Sequence, residues 1–266
     1  METEANSESR LEKSLSEGYE FKMGKYISAG FDIFKKEPWL LMGFLVVNIV
    51  ISMVASSITS VLSAVVSVPL SVGFFIFANK VSTGRNAQFG DFFGGFKSFI
   101  PLMLNYLVIV LLALLVFSPG IIYFFISVDF FSELTSGGNQ IEIMTKLMGL
   151  LITLPVVIIL FFVSLLVWLY FGVSFILSQQ LIVFNGLDFW SSIKTSMKLV
   201  SKKWFSFFVF LIVIGLINIL GMLCLFFGLL VTVPATICAI YAAYEDIAGT
   251  SVSAIDSELS STILDA

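Results

Sequence analysis

An all-α polytopic transmembrane helix bundle is the fold class this sequence predicts, and three observations predict it. Apolar residues make up 58% of the 266 residues and charged residues only 12%, where soluble domains carry about a quarter charged residues. Several uncharged runs exceed the roughly 20 residues that cross hydrocarbon. They lack the alternation of barrel strands, so the crossing elements are helices that satisfy their own backbone hydrogen bonds. Basic residues recur in the segments 10–36, 80–97 and 194–203, whereas 128–146 holds only Lys146. Placing every basic segment on one side gives six crossings as three hairpins, each preceded by an amphipathic interfacial helix, with both termini cytoplasmic.

Each element follows from the order of residues. Residues 1–18 are rich in glutamate and read as a disordered acidic tail. They are the reverse of a short basic signal peptide, so the first apolar helix is expected to act as its own insertion signal. Between 19 and 37, Met23, Tyr26, Ile27, Gly30, Phe31 and Phe34 recur at helical spacing, with Lys22, Lys25, Lys35 and Lys36 mostly on the other side. Pro38 interrupts that helix. The uncharged run from Trp39 to Asn79 would extend about 60 Å as one helix, twice the hydrocarbon thickness. It therefore folds back, with the turn expected between Ser56 and Ser63.

In 80–98, Phe89, Phe92, Phe93 and Phe96 predict a second interfacial helix, with Asp91 near its positive N-terminus. The third crossing runs from Ile100 to Ile126 with a kink at Pro119-Gly120, and the polar stretch Asp129 to Lys146 reads as a loop. From Leu147 to Phe184 the chain is uncharged and long enough for one crossing or two. Two would carry Lys194, Lys198, Lys202 and Lys203 to the far side, so one is expected, its last turns near Ser178-Gln179-Gln180 lying at the interface. Residues 187–204 place Trp190, Ile193, Met197, Val200 and Trp204 along one face of a third interfacial helix. The last hairpin turns between Gly221 and Gly228 and ends at Glu245-Asp246, and 250–266 form a second disordered tail.

The outer hairpins read as an internal repeat inside a membrane domain spanning 19–249. Residues 39–84 align without gaps on 204–249, matching Trp39 with Trp204, Val66 with Val231, Val68 with Val233, Pro69 with Pro234 and Gly84 with Gly249. Small residues coincide too, Ser56 with Gly221 and Ser63 with Gly228, and Lys80 aligns with Glu245.

Four stretches carry a family resemblance: Phe89 to Phe96, Phe189-Trp190 with Ser192 and Ser196, Lys202-Lys203-Trp204, and Gly228 through Pro234 to the Ala239–Asp246 run. On these, the chain resembles a bacterial polytopic membrane family related to the membrane domain of glycerophosphoryl diester phosphodiesterases. Such proteins show a Pro-Gly-x-Tyr element before the final basic segment. Here Val167-Trp168 precedes Tyr170 instead, and a Pro-Gly-Ile-Ile-Tyr run lies earlier at Pro119 to Tyr123. The resemblance implies a multi-pass module of the inner (cytoplasmic) membrane, without a phosphodiesterase domain in this chain.

Chemistry is sparse. The chain has no histidine, which removes imidazole catalysis and the common histidine metal sites, and no metal or cofactor is expected. Cys224 and Cys238 sit in apolar segments and behave as small hydrophobes. Asn48, Asn105 and Asn218 fall one in each of the first, third and fifth crossings, either converging on a ligand or bonding between helices. Lys80, Glu245 and Asp246 are candidate interhelical or interface groups, with a Lys80–Glu245 pair the form the repeat would give it. Lys22, Lys25, Lys35, Lys36, Lys194, Lys198, Lys202 and Lys203 are candidate headgroup contacts, each drawn to anionic lipid by about 1 kcal/mol. Membrane lipids, with a membrane-protein partner or a second copy, are the expected associates; the acidic pI near 4.9 argues against nucleic acid. The leading reading is non-enzymatic association at the cytoplasmic leaflet. A transporter or channel with a site between the repeated hairpins is the alternative, and a lipid-modifying enzyme using Glu245 and Asp246 the second alternative.

Overall fold

Why the apolar runs end where they do is visible in the computed structural model, which describes residues 10–135, 140–224 and 227–250. The fold is all-α, and no strand occurs among the described residues. A short helix α1 at 10–16 is followed by α2 (Met23–Lys36), α3 (Pro38–Ile58) and α4 (Ser60–Ser82). A 3-10 segment, Phe89–Ser98, leads into α5 (Phe99–Thr135), α6 (Gln140–Ser174), α7 (Ser178–Asn185), α8 (Phe189–Ser201), α9 (Trp204–Leu223) and α10 (Phe227–Ala248). Six helices among the described residues are long and apolar enough to cross a membrane, so the chain is a multi-pass membrane protein. It divides into two compact units, one of residues 1–106 with 173–266 and the other Leu107–Gly172.

In the first unit the core lies where the second halves of α4 and α10 pack. Leu70, Val72, Phe74, Ile76 and Phe77 on α4 are buried, as are Ala235, Cys238, Tyr241, Tyr244 and Ile247 on α10. The opposite ends of the same hairpins are bare of protein cover: Val50, Met53, Ile58 and Val61 are exposed at one turn, and Ile219, Leu220, Leu223 and Phe227 at the other. Such apolar exposure is uphill in water and favourable in lipid. The first turn is made by Thr59, whose extended backbone (φ −155°, ψ 149°) ends α3 and whose hydroxyl accepts from the Leu62 N–H at 3.0 Å to cap α4. The second falls between Leu223 and Phe227, where a Cβ on Gly228 would run into the Gly221 carbonyl. The serine run of α3 and α4 is satisfied locally. Ser56, Ser57 and Ser71 donate to carbonyls three residues back, and Ser63 reaches across to the Ser52 carbonyl at 3.4 Å.

The second unit is an antiparallel pair formed by α5 and α6. Ser164 Oγ donates to the Val116 carbonyl at 2.8 Å, and Gly120 packs against the ring of Phe161. Pro119 and Pro155 lie inside continuous helices. The outward residues Leu111, Leu115, Ile122, Phe125, Ile158 and Phe162 are exposed, as lipid contact requires.

Five expectations are corrected. The disordered tail 1–18 contains α1, because Leu11, Ser14 and Leu15 make a short face that packs inward while Glu12, Lys13 and Glu17 stay exposed; residues 1–9 lie outside the described residues. The loop from Asp129 to Lys146 is helical to Thr135 and again from Gln140, since scattered acids do not break a helix and the helix breakers fall within 136–139, which are outside the described residues. The segment Phe89–Ser98 is a 3-10 helix, not an α-helix. There Gly95 faces the Pro69 carbonyl and Gly73 of α4 faces the Phe92 carbonyl, both too close for a side chain. The buried face of α8 is Ser192, Ile193, Ser196, Leu199 and Val200, rotated from the predicted one, with Trp190 49% exposed. Hydroxyl groups that bond inward pack as readily as apolar ones. Finally, Lys80 pairs with Asp91 at 2.7 Å and not with Glu245, because the 3-10 segment brings a nearer carboxylate. Of the predicted tail 250–266, only Thr250 is described.

Candidate functional site

Small residues decide where the charged groups meet. The inner face of α10 presents Ala235, Ala239 and Ala242, and α2 meets it with Gly30, from which a Cβ would lie 2.5 Å from the Ala239 nitrogen and 2.6 Å from the Ala235 carbonyl oxygen. That close approach brings Tyr26 and Lys25 to the C-terminal end of α10. The Tyr26 hydroxyl donates to Asp246 Oδ2 at 2.8 Å, and Lys25 Nζ lies 3.4 Å from Asp246 Oδ1. From α1, Arg10 Nη1 donates to the Glu245 carbonyl at 3.2 Å and Ser14 Oγ to the Ile247 carbonyl at 2.6 Å. Both carbonyls belong to the last turn of α10; that of Glu245 also accepts the Gly249 N–H at 3.1 Å, and that of Ile247 lies among the last four, which an α-helix leaves without an i+4 amide of its own.

The result is a cavity of about 210 Å³ whose polar lining is Arg10, Lys25, Tyr26, Glu245 and Asp246. The side chains of Ala29 and Ala242 form the apolar part of its wall. Burial holds the Tyr26 phenol above the usual tyrosine range, and the hydrogen bond to the Asp246 carboxylate acts in the same direction. Tyr26 is therefore a fixed donor. Glu245 and Asp246 are consecutive on a helix and turn about 100° apart. Asp246 faces α2, while Glu245 lies beside Tyr241 and Arg10.

A second polar cluster joins α4 to α10. Asn79 Nδ2 donates to the Tyr241 hydroxyl at 2.8 Å, Ser82 Oγ lies 3.2 Å from that hydroxyl, and Arg85 bonds Asn79 Oδ1. Nearby, Asp91 accepts from Lys80 and from the Gln88 N–H at 2.7 Å, which starts the 3-10 segment. Tyr244 bonds Asn185 of α7. The bonds from Asn79 to Tyr241, from Lys80 to Asp91 and from Tyr244 to Asn185 tie separate elements together.

The predicted site residues fall in different places. Asn48 accepts from Ser52 on its own helix at 3.2 Å, Asn105 accepts from Ser178 at 3.4 Å, and Asn218 donates to Thr236 of α10 at 3.2 Å. No hydrogen bond joins any two of the three among the described residues. All eight candidate headgroup lysines are exposed; Lys22 is paired with Glu20 and Lys35 with Asp32, and Lys202 donates to the Leu15 carbonyl. Glu245 and Asp246 share the cavity, whereas Lys80 belongs to the second cluster. Sequence reasoning missed Arg10 and Tyr26 as site groups. Tyr26 was visible as part of an apolar face, but nothing local marked its hydroxyl, and Arg10 lay in a stretch read as tail. No family model, no curated protein and no solved structure matches this chain.

Proposed function

We propose that this multi-pass membrane protein works by association and not by catalysis, engaging membrane lipids and a membrane-protein partner or second copy at the cytoplasmic leaflet of an inner membrane, with both termini cytoplasmic. The observation that carries the reading is the exposure of eight lysines, Lys22 just before α2 and those of α2, α8 and the 202–203 corner, while the other faces of α2 and α8 are buried. Lysines beside a membrane-crossing helix attract anionic headgroups. Consecutive carboxylates aimed at separate partners are unlike a shared acid–base pair, which supports the non-enzymatic reading. The repeat of the outer hairpins belongs to the same proposal, supported by the positive φ of both Gly84 (69°) and Gly249 (71°) at equivalent helix ends. So does kinship with the phosphodiesterase-associated membrane family, supported by the burial of Phe92, Ser192, Ser196, Tyr241 and Tyr244 within the stretches that resemble it.

The test is lipid enrichment around the purified full chain in bilayers mixing phosphatidylglycerol and phosphatidylcholine, read by native mass spectrometry. Phosphatidylglycerol is expected to be enriched, and Lys194→Gln with Lys198→Gln to reduce that enrichment. Equal retention of the two lipids by the unaltered protein would count against the reading.

A further inference from the structure

We propose that the cavity between α1, α2 and the end of α10 binds a phosphoethanolamine group, the zwitterionic headgroup of an ethanolamine phospholipid. This rests on the lipid-associating reading above and names the headgroup at one site. The cavity holds two basic side chains, Arg10 and Lys25, and two acidic ones, Glu245 and Asp246, around about 210 Å³. That is far more than the roughly 10–15 Å³ that seats one water, too large for a lone ion and suited to a small polar group. Opposed charges select against simple ligands. A bare anion would meet two carboxylates, and a bare cation would meet a guanidinium and an ammonium, each at a repulsive cost. The opposed groups stand as neighbours, Lys25 Nζ 3.4 Å from Asp246 Oδ1 and Arg10 beside Glu245, so a neutral zwitterion can exchange into these pairs without adding net charge.

The position and the donor set narrow the choice. Glu245 lies three residues from the end of α10, about 4.5 Å along the axis at 1.5 Å per residue, so the cavity sits at the end of a membrane-crossing helix, at the depth of headgroups. A primary ammonium has three donors, which match the carboxylate oxygens of Glu245 and Asp246. The phosphate then faces Arg10 and Lys25, which suit it as fork and point charge respectively. A trimethylammonium group cannot donate and is held by aromatic cages, whereas this cavity offers the single ring of Tyr26. The chemistry therefore favours ethanolamine over choline.

The experiment measures binding to the detergent-purified full chain of short-chain phosphatidylethanolamine, phosphatidylcholine and phosphatidylglycerol of matched chains, alongside soluble glycerophosphoethanolamine and glycerophosphocholine. Phosphatidylethanolamine is expected to bind at least about tenfold more tightly than phosphatidylcholine, and Glu245→Gln to weaken it about ten- to hundredfold, the span of a lost charge-assisted hydrogen bond. Lys25→Gln removes the phosphate partner at a 63% exposed side chain, keeps the fold, and is expected to weaken the same lipid. Tight binding of glycerophosphoethanolamine alone supports the site with a soluble ligand as its source; binding only with chains attached supports the lipid as its source. Equal affinity for ethanolamine and choline forms, no binding of either ethanolamine form, or unchanged affinity in both variants overturns the proposal. Enrichment of phosphatidylglycerol without ethanolamine preference sinks this cavity alone, and loss of both sinks the lipid-associating reading with it.

Discussion

A single hydroxyl closes the break between α6 and α7. Ser196 Oγ donates to the Ser174 carbonyl at 2.7 Å and accepts from the Leu177 N–H at 3.3 Å, in a fully buried setting. The Ser196→Ala change leaves the Leu177 amide without that acceptor, a cost of about 1–3 kcal/mol. It is expected to lower Tm in detergent, whereas Ser201→Ala, whose exposed hydroxyl bonds the Lys198 carbonyl of its own helix, is expected to stay within about 0.5 kcal/mol of the parent. Asp188 works at the same scale. It caps α8 by accepting from the Trp190 and Ser191 amides at 3.1 and 3.2 Å, and its hydrogen bonds from Ser191 hold the carboxyl below the usual carboxylate range. A depressed folded pKa means that the cap contributes above the ordinary value of 3.8 and is lost as pH falls through the lower folded value. Hydrogen exchange at Trp190 and Ser191 is expected to lose protection on acidification below about pH 4, and Asp188→Asn to flatten that dependence.

At the scale of elements, tight helix contacts depend on residues without side chains. Gly30 and Gly24 lie on the same helix, yet a Cβ at Gly30 meets backbone atoms of α10 at 2.5 Å while one at Gly24 meets nothing within 4 Å. Backbone atoms cannot rotate away, so Gly30→Ala is expected to cost at least about 1–3 kcal/mol. Gly24→Ala is expected to be neutral or stabilising by up to about 1 kcal/mol through helix propensity. Thermal unfolding of the two variants, with opposite signs of ΔTm, checks this pairing. The Phe cluster around the 3-10 segment shows the same dependence. Phe92 stacks between Phe44 at 3.9 Å and Phe77 at 4.3 Å, an insertion made possible by Gly73 meeting the Phe92 carbonyl.

At the scale of the whole molecule, two membrane-length helices, α5 and α6, separate Lys97 from Lys203. Both lysines are exposed. An impermeant amine reagent applied to sealed inside-out vesicles is expected to modify both, mapped by peptide mass spectrometry; modification of only one would break the proposed sidedness. The outer hairpins share one pattern: Pro69 and Pro234 mark where each returning helix passes from exposed to buried. Polar groups such as Asn79, Tyr241 and Glu245 occur in the packed halves, where protein can satisfy them.

The number of crossings and both outer hairpin turns, at Thr59 and between Leu223 and Phe227, followed from the sequence by itself. Hydrocarbon thickness limits helix length, and that limit acts on a local run of residues. The structure gives one membrane-length span there, Thr153–Asn185, where one crossing was expected from the placement of the lysines. Tertiary structure alone decided that Lys80 takes Asp91, that Ser196 bridges the interruption between α6 and α7, and that Arg10, Tyr26 and Asp246 share one cavity. Those groups are distant in the chain. What brings them together is how closely helices approach, which Gly30 and the alanines of α10 set in three dimensions and no local periodicity encodes.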